Sequence, residues 1–230
     1  MEEANLFLKA LKPADSERMA RILRRVSFRQ DEVLAVEYQP IERVVLPIDC
    51  ILSVLAVMRD GRQVETRTIG CESGYGLLHA LGSPVSFERL LVQVPGDAWV
   101  ASLSDLKAAA VASPDLMERI VRYAQATLIQ AAQSTACNAL HSVEQRMSRW
   151  LLMTQSRLST PVAPLTQEHL SIMLGVQRTT VTATASALKA RGLIAYSRGN
   201  IRILDEAGLK RVACECFSTI DAAMEMMREE

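Results

Sequence analysis

The sequence predicts an α+β protein in three successive parts: a run of short strands, one long helix, and a small helical unit closed by a hairpin. Three observations predict this. Between Val26 and Leu103 the chain breaks into short apolar runs (VLAVEY, ERVVLP, ILSVLAVM, RQVETRTIG, RLLVQVPG, AWVASL) punctuated by Gly, Pro and Asp, the pattern of a strand-built sandwich or barrel. Ser113-Pro114 then opens a stretch with no further glycine or proline until Pro161. Beyond it, two helical patterns flank Gly175, and two short strand patterns flank Arg198-Gly199-Asn200. These divisions place the parts at 1–112, 113–141 and 142–230.

Before the strands, ADSERMARILRR (14–25) reads as a short helix. MRDGRQVE is a hairpin with Asp60-Gly61 at its turn. CESGYGLLHALGSP interrupts the strand pattern with a turn and about one helical turn. A jelly-roll barrel is the architecture these strands suit.

Ser113 as N-cap and Pro114 at the first helical position are strong start signals. Along the helix, Met117, Val121, Ala124, Leu128, Ala131 and Thr135 recur in steps of four and three, the seam of a coiled coil. A second stripe, Leu116, Ile120 and Tyr123, sits beside it. A helix apolar on two sides has two surfaces to cover, its own barrel and a partner's helix. The dimerisation set is therefore the seam together with Ile120; the bland alternative is one long core helix in a monomer.

A helix from Ser142 to about Leu158 follows, with Met147, Trp150 and Leu151 inward and Arg146, Arg149 and Arg157 outward. LSTPVAPL reads as a linker. LTQEHLSIMLG is a short amphipathic helix with Thr166 as N-cap and as a candidate DNA contact. The next helix, GVQRTTVTATASAL, is rich in threonine, which forms helices poorly. Its inward stripe is Val181, Ala185 and Leu188. Outward stand Gln177, Arg178, Thr179, Thr180, Thr182, Ala183 and Ser186, with no acid to repel phosphate. Small side chains let a helix backbone enter a major groove about 12 Å wide. Helix, glycine turn, helix and hairpin is the order of a winged helix-turn-helix. Arg178 is the candidate base reader, bidentate to a guanine edge. Arg191, Arg198 and Arg202 are candidate phosphate contacts, with Arg198 at the wing tip. The last helix runs from about Glu206 into a charged tail.

Charge agrees with this reading. The 230 residues carry a net charge of zero, yet 145–212 holds ten Lys or Arg against three acids, about +7. A basic third on an acidic body points to a polyanion partner. With 49% apolar and 23% charged residues, the composition is that of a globular protein. The lack of a signal-type core or a membrane-length apolar run predicts a cytoplasmic protein without a membrane partner. Five cysteines (50, 71, 137, 214, 216) are scattered, and Cys214 and Cys216 on one helix would point different ways. Histidines 79, 141 and 169 show no ligand spacing. Neither a metal site nor a cofactor is expected, and no clustered acids or ligands suggest an enzyme.

The stretch LTQEHLSIMLGVQRTTVTATASALKARGLIAYSRGNIRIL resembles the DNA-binding domain of the CRP/FNR family of bacterial transcription regulators. HSVEQRMSRWLLM resembles the helix after that family's dimer helix, and MRDGRQVETRTIG and LLVQVPGDAWVASL resemble strands of its cyclic-nucleotide-binding-like barrel. The resemblance implies a homodimer reading an inverted repeat in double-stranded DNA, with RNA polymerase as a further partner. Departures limit what it implies about the signal. Where cyclic-AMP-binding relatives carry a Gly-Glu-Leu turn and an Arg-Ser/Thr-Ala sequence, this chain has Gly74-Tyr75-Gly76 and Phe87-Glu88-Arg89-Leu90. A carboxylate beside a buried phosphate is costly, so cyclic AMP is not the expected effector. Gly74, Tyr75, Gly76 and Arg89 remain a candidate anion pocket, against a plain structural turn. The N-terminal cysteine group of iron–sulfur relatives is absent. Thr179 and Ala183 stand where cyclic-AMP-type regulators place a base-reading glutamate and an arginine, implying a different operator. Two alternatives concern the signal: a constitutive dimer whose barrel is a protein-interaction surface, or a thiol redox switch at Cys50 or Cys71.

Overall fold

The computed structural model describes residues 5–158, 160, 162–197 and 199–226. After two short helices, α1 (Leu6–Lys9) and α2 (Pro13–Ile22), come strands β1 (Arg24–Phe28), β2 (Val33–Ala35), β3 (Arg43–Pro47), β4 (Ile51–Val57), β5 (Gln63–Ile69), β6 (Arg89–Val94) and β7 (Gly96–Ser102). All pair antiparallel, in two sheets ordered β1-β7-β3 and β2-β6-β4-β5. One core draws on both sheets, through Val44, Leu46, Val100, Leu52, Val54, Leu90 and Val92. This is the jelly-roll expectation realised as two stacked sheets. The β4–β5 hairpin turns at Gly61 with φ 84°, the left-handed conformation a tight turn requires there.

Two helices, α3 (Leu77–Leu81) and α4 (Leu103–Val111), flank the sheets and lead to α5 (Pro114–Leu140), 27 residues long. The Ser113 side chain caps α5 by accepting from Leu116 N at 3.2 Å. The helix ends because His141 takes an extended backbone (φ −106°, ψ 147°). There follow α6 (Val143–Gln155), β8 (Val162–Pro164), α7 (Gln167–Leu174), α8 (Arg178–Ala190), β9 (Ile194–Ser197), β10 (Asn200–Ile203), α9 (Glu206–Val212) and α10 (Cys216–Met226). A second core unites Met147, Trp150, Leu151, Leu170, Leu174, Val181, Ala185, Leu188 and Leu209. Among the described residues, no helix is long and apolar enough to cross a membrane.

The structure corrects several local expectations. Helix α2 stops at Ile22, because Arg24 and Arg25 enter β1, where Arg25 donates to Asp97 at 2.7 Å. Helix α4, capped by Ser102, was missed although Leu103, Leu106, Ala109 and Ala110 form its buried stripe. The segment read as a linker pairs as an edge strand, with sheet order β8-β10-β9. An edge tolerates Pro164, which has no N–H to donate; Pro161 lies outside the described residues. The C-terminal helix breaks in two at Ala213, whose backbone is extended (φ −60°, ψ 150°).

Candidate nucleic-acid interface

Helices α7 and α8 meet at Gly175, which closes α7 at φ 63°. A Cβ there would sit 3.0 Å from Val64 Cγ2 of the β4–β5 hairpin, so glycine serves both the turn and the close approach to the barrel. Thr166 begins α7 with a capping box: its hydroxyl accepts from His169 N at 3.2 Å, and His169 Nδ1 accepts from Thr166 N at 3.4 Å. The His169 Nε2 atom lies 3.0 Å from Asp31 Oδ1 on the barrel.

In α8, Val181, Ala185 and Leu188 are buried, as the stripe predicts. Gln177, Arg178, Thr179, Thr182, Ala183 and Ser186 are exposed, and Thr180 is half-buried. Thr182 Oγ1 donates to Arg178 O and Thr184 Oγ1 to Thr180 O, both at 2.9 Å. Their hydroxyls thus bond back to the helix itself. A threonine hydroxyl whose proton is used this way keeps its acceptor lone pairs. Thr182 therefore suits a base amino group or a thymine methyl better than a phosphate, which needs a donor.

The charged candidates divide unevenly. Arg178 is exposed, and its Nη1 lies 3.4 Å from Glu168 Oε2. Arg191 pairs with Glu144 at 2.6 Å, and Arg202 on the wing is exposed. Arg198 lies outside the described residues. Arg146, Arg149 and Arg157, expected to face outward, are instead turned inward. Arg146 and Arg149 are each 8% exposed, and Arg157 forms a buried pair with Glu72 at 2.9 Å. Long arginine stems cover apolar surface, so helical spacing alone misplaced them. Part of the basic excess is thus structural, and the outward charge comes from Arg178, Lys189, Arg191, Arg202, Lys210 and Arg211.

On α5, Leu116, Ile120 and Tyr123 face the barrel core, and the Tyr123 hydroxyl donates to Gly74 O at 2.8 Å. Ile120 is fully buried and is removed from the partner-facing set; it follows Leu116 by one helical turn and shares its face. Val121, Leu128 and Thr135 are exposed, while Met117, Ala124 and Ala131 are half-buried. Ile129 and Leu140 are exposed as well, but at 100° per residue they stand about a third of a turn or more from the seam and do not belong to it.

A buried carboxylate joins the strand-built part to α6. Glu65 on β5 accepts from Thr68 Oγ1 at 2.8 Å, Trp150 Nε1 at 2.9 Å and Ser53 Oγ. Burial raises its pKa above the ordinary 4.5, against the opposing pull of these hydrogen bonds. Folded Glu65 thus holds its proton to higher pH than unfolded Glu65. Its contribution to stability is full below 4.5 and is lost as pH rises through the raised value. Glu65→Gln should flatten the fall of thermal stability as pH rises above 4.5; an unchanged slope would assign the pH dependence to other groups.

The polar side chains at the candidate anion pocket bond to other groups of the protein. Arg89 Nη2 donates to Glu37 at 2.8 Å. Glu88 accepts from Arg67 and Thr66, both at 3.1 Å. The Tyr75 hydroxyl lies 2.8 Å from Ser86 Oγ. Gly76 has φ 90°, and a Cβ there would meet Arg43 O at 2.9 Å. Gly74 and Gly76 thus let this turn lie against β3, where Tyr75 and Val45 exchange backbone hydrogen bonds. Cys50 is fully buried, and burial pushes its thiol up to about 12, which leaves little thiolate for a redox switch. Cys71 is half-buried.

The expectation of no metal-ligand cluster does not survive. Cys137, His141, Cys214 and Cys216 converge, with ligand atoms all within 4.8 Å of one another. Cys214 precedes α10 and Cys216 begins it, so the two thiols are not splayed around one helix.

Comparison with known proteins agrees with this geometry. Residues 145–212 match the Crp-like helix-turn-helix domain. FixK2 from Bradyrhizobium japonicum aligns with a TM-score of 0.73 at 18% identity, over 84% of this chain and 98% of its own. A putative transcriptional regulator of the CRP/FNR family from Eubacterium rectale aligns at 0.69 and 17%, over 89% and 95%. A CRP/FNR transcriptional regulator from Thermus thermophilus aligns at 0.68 and 21%, over 83% and 98%. No curated protein sequence matches the chain.

Proposed function

We propose that this chain, which carries a Crp-like helix-turn-helix domain in the fold of the CRP/FNR transcription regulators, is itself a sequence-specific DNA-binding regulator acting as a homodimer. The observation that carries the reading is α8: an exposed, acid-free face of small side chains behind a glycine turn, backed by a packed core and followed by a wing. Its dimension suits the major groove. A dimer paired through α5 would present two such helices to half-sites about 34 Å apart. Contact with RNA polymerase would follow once the dimer is on its operator.

Arg178 is the main charged probe of base sequence on this face, and Arg202 the described wing residue placed for phosphate. In a binding selection on random duplexes, Arg178→Ala should cost about 1–3 kcal/mol and relax preference at one base position. Arg202→Ala should weaken all sequences alike and reduce the salt slope by about one. A dimer that selects no duplex would overturn the reading.

A second reading concerns the signal. The Arg89–Glu37 and Glu88–Arg67 pairs stand at the candidate anion pocket, which favours a dimer active without a cyclic nucleotide. A ligand specific to the native state raises the unfolding temperature; here cyclic nucleotides should leave it unchanged.

A further inference from the structure

We propose that Cys137, His141, Cys214 and Cys216 form a Cys3His site for one soft divalent cation, zinc in particular, which ties the end of the long helix to the C-terminal segment. The four residues come from two places far apart in sequence. Cys137 lies in the last turn of α5, His141 is its C-cap, and Cys214 and Cys216 flank the start of α10.

Geometry supports a single ion. Cys137 Sγ and Cys214 Sγ are 3.5 Å apart, and Cys216 Sγ and His141 Nδ1 are also 3.5 Å apart. A tetrahedral ion with Zn–S bonds of about 2.3 Å sets ligand atoms ~3.8 Å from one another. The observed spacing, nowhere above 4.8 Å, fits that edge. It is tight for the several metal atoms of an iron–sulfur cluster. Three thiolates and one imidazole are the ligand softness that selects zinc.

The surroundings are those of a metal centre. His141 turns Nδ1 toward Cys216, while its Nε2 lies 3.3 Å from Glu215 Oε2. A carboxylate on the far ring nitrogen is the usual orienting partner of a metal-bound histidine. Gln133 Nε2 donates to Cys216 Sγ at 3.0 Å. Arg146 and Arg149 form no ion pair with a carboxylate among the described residues, although both are buried. Arg146 acts electrostatically on Cys137 and Cys214, and Arg149 on Cys137. A buried unpaired cation is costly. Zn2+ with three thiolates and a neutral imidazole carries one net negative charge, which these guanidiniums offset. The two arginines that look misplaced for DNA binding thus find a role.

The position of the site gives it consequences. Helix α10 packs Ile220 and Met224 against Ala126 of α5 and Met153 of α6. The ion would clamp that small apolar contact at the junction where α5 hands over to α6 at Ser142.

The test is metal analysis of the full-length chain purified under reducing conditions, followed by Co2+ titration after chelation. The expected result is one zinc per chain and the visible absorption of tetrahedral cobalt–thiolate coordination. Cys216→Ser should lose both. Glu215→Gln should keep the fold and weaken affinity about 10–100-fold, and Cys71→Ser should change neither. A reduced, folded chain that gives no tetrahedral cobalt spectrum overturns the proposal. So does iron with acid-labile sulfide in place of zinc, or a metal content equally sensitive to Cys71→Ser.

Discussion

Leu128→Glu is expected to abolish the proposed dimer and to weaken binding to an inverted-repeat operator about 10²–10⁴-fold. Leu128 is 68% exposed on α5 and Val121 49%, two large apolar side chains one heptad apart. Half-buried Ala124 and Ala131 lie between and beyond them, small enough for a second helix to approach. In a two-fold dimer every contact is made twice, and each buried leucine contributes about 1.5–3 kcal/mol. Glutamate removes that term and sets two carboxylates across one axis. The DNA-reading unit should be untouched, since Leu128 does not belong to its core. Binding to a single half-site should therefore persist while the gain from linked half-sites disappears. Light scattering separates the two states; a variant that stays dimeric would move the interface elsewhere.

Much of this molecule was legible because its signals are local. The Val181, Ala185, Leu188 stripe, the Gly175 turn and the Ser113-Pro114 start each depend on neighbours a few residues away, and each stands where the spacing put it. What failed depended on contacts between distant segments. Arg146, Arg149 and Arg157 read as a solvated face, yet Arg157 meets Glu72 across 85 residues. Ile120 read as partner-facing because its seam and its core stripe lie side by side on one helix. The Cys3His cluster was invisible because residues 137 and 214, separated by 77 positions, meet only through tertiary packing. The helix break at Ala213 that gathers Cys214 and Cys216 has no glycine or proline to announce it.

Arg157→Ala is expected to destabilise the chain by about 3–5 kcal/mol, because removing one member of a buried pair strands the other. The side chains are 8% and 5% exposed, and the Arg157 Nε and Nη2 atoms reach Glu72 Oε1 at 3.0 and 2.9 Å. Oε1 also accepts from Gly70 N at 3.1 Å, while Oε2 has no partner among the described residues. Alanine would leave that carboxylate buried with one backbone donor. The pair joins the end of α6 to the loop after β5, beside the Trp150–Glu65 hydrogen bond. Its loss should therefore free the DNA-reading unit from the sheets as well as lower the unfolding midpoint. The discriminating companion is a double variant, Arg157→Met with Glu72→Leu. Replacing both charges by apolar groups of similar size is commonly neutral or stabilising, so the double variant should recover most of the lost stability. If both variants fall equally in urea titration, packing of the arginine stem is the dominant contribution, and the ion pair adds little.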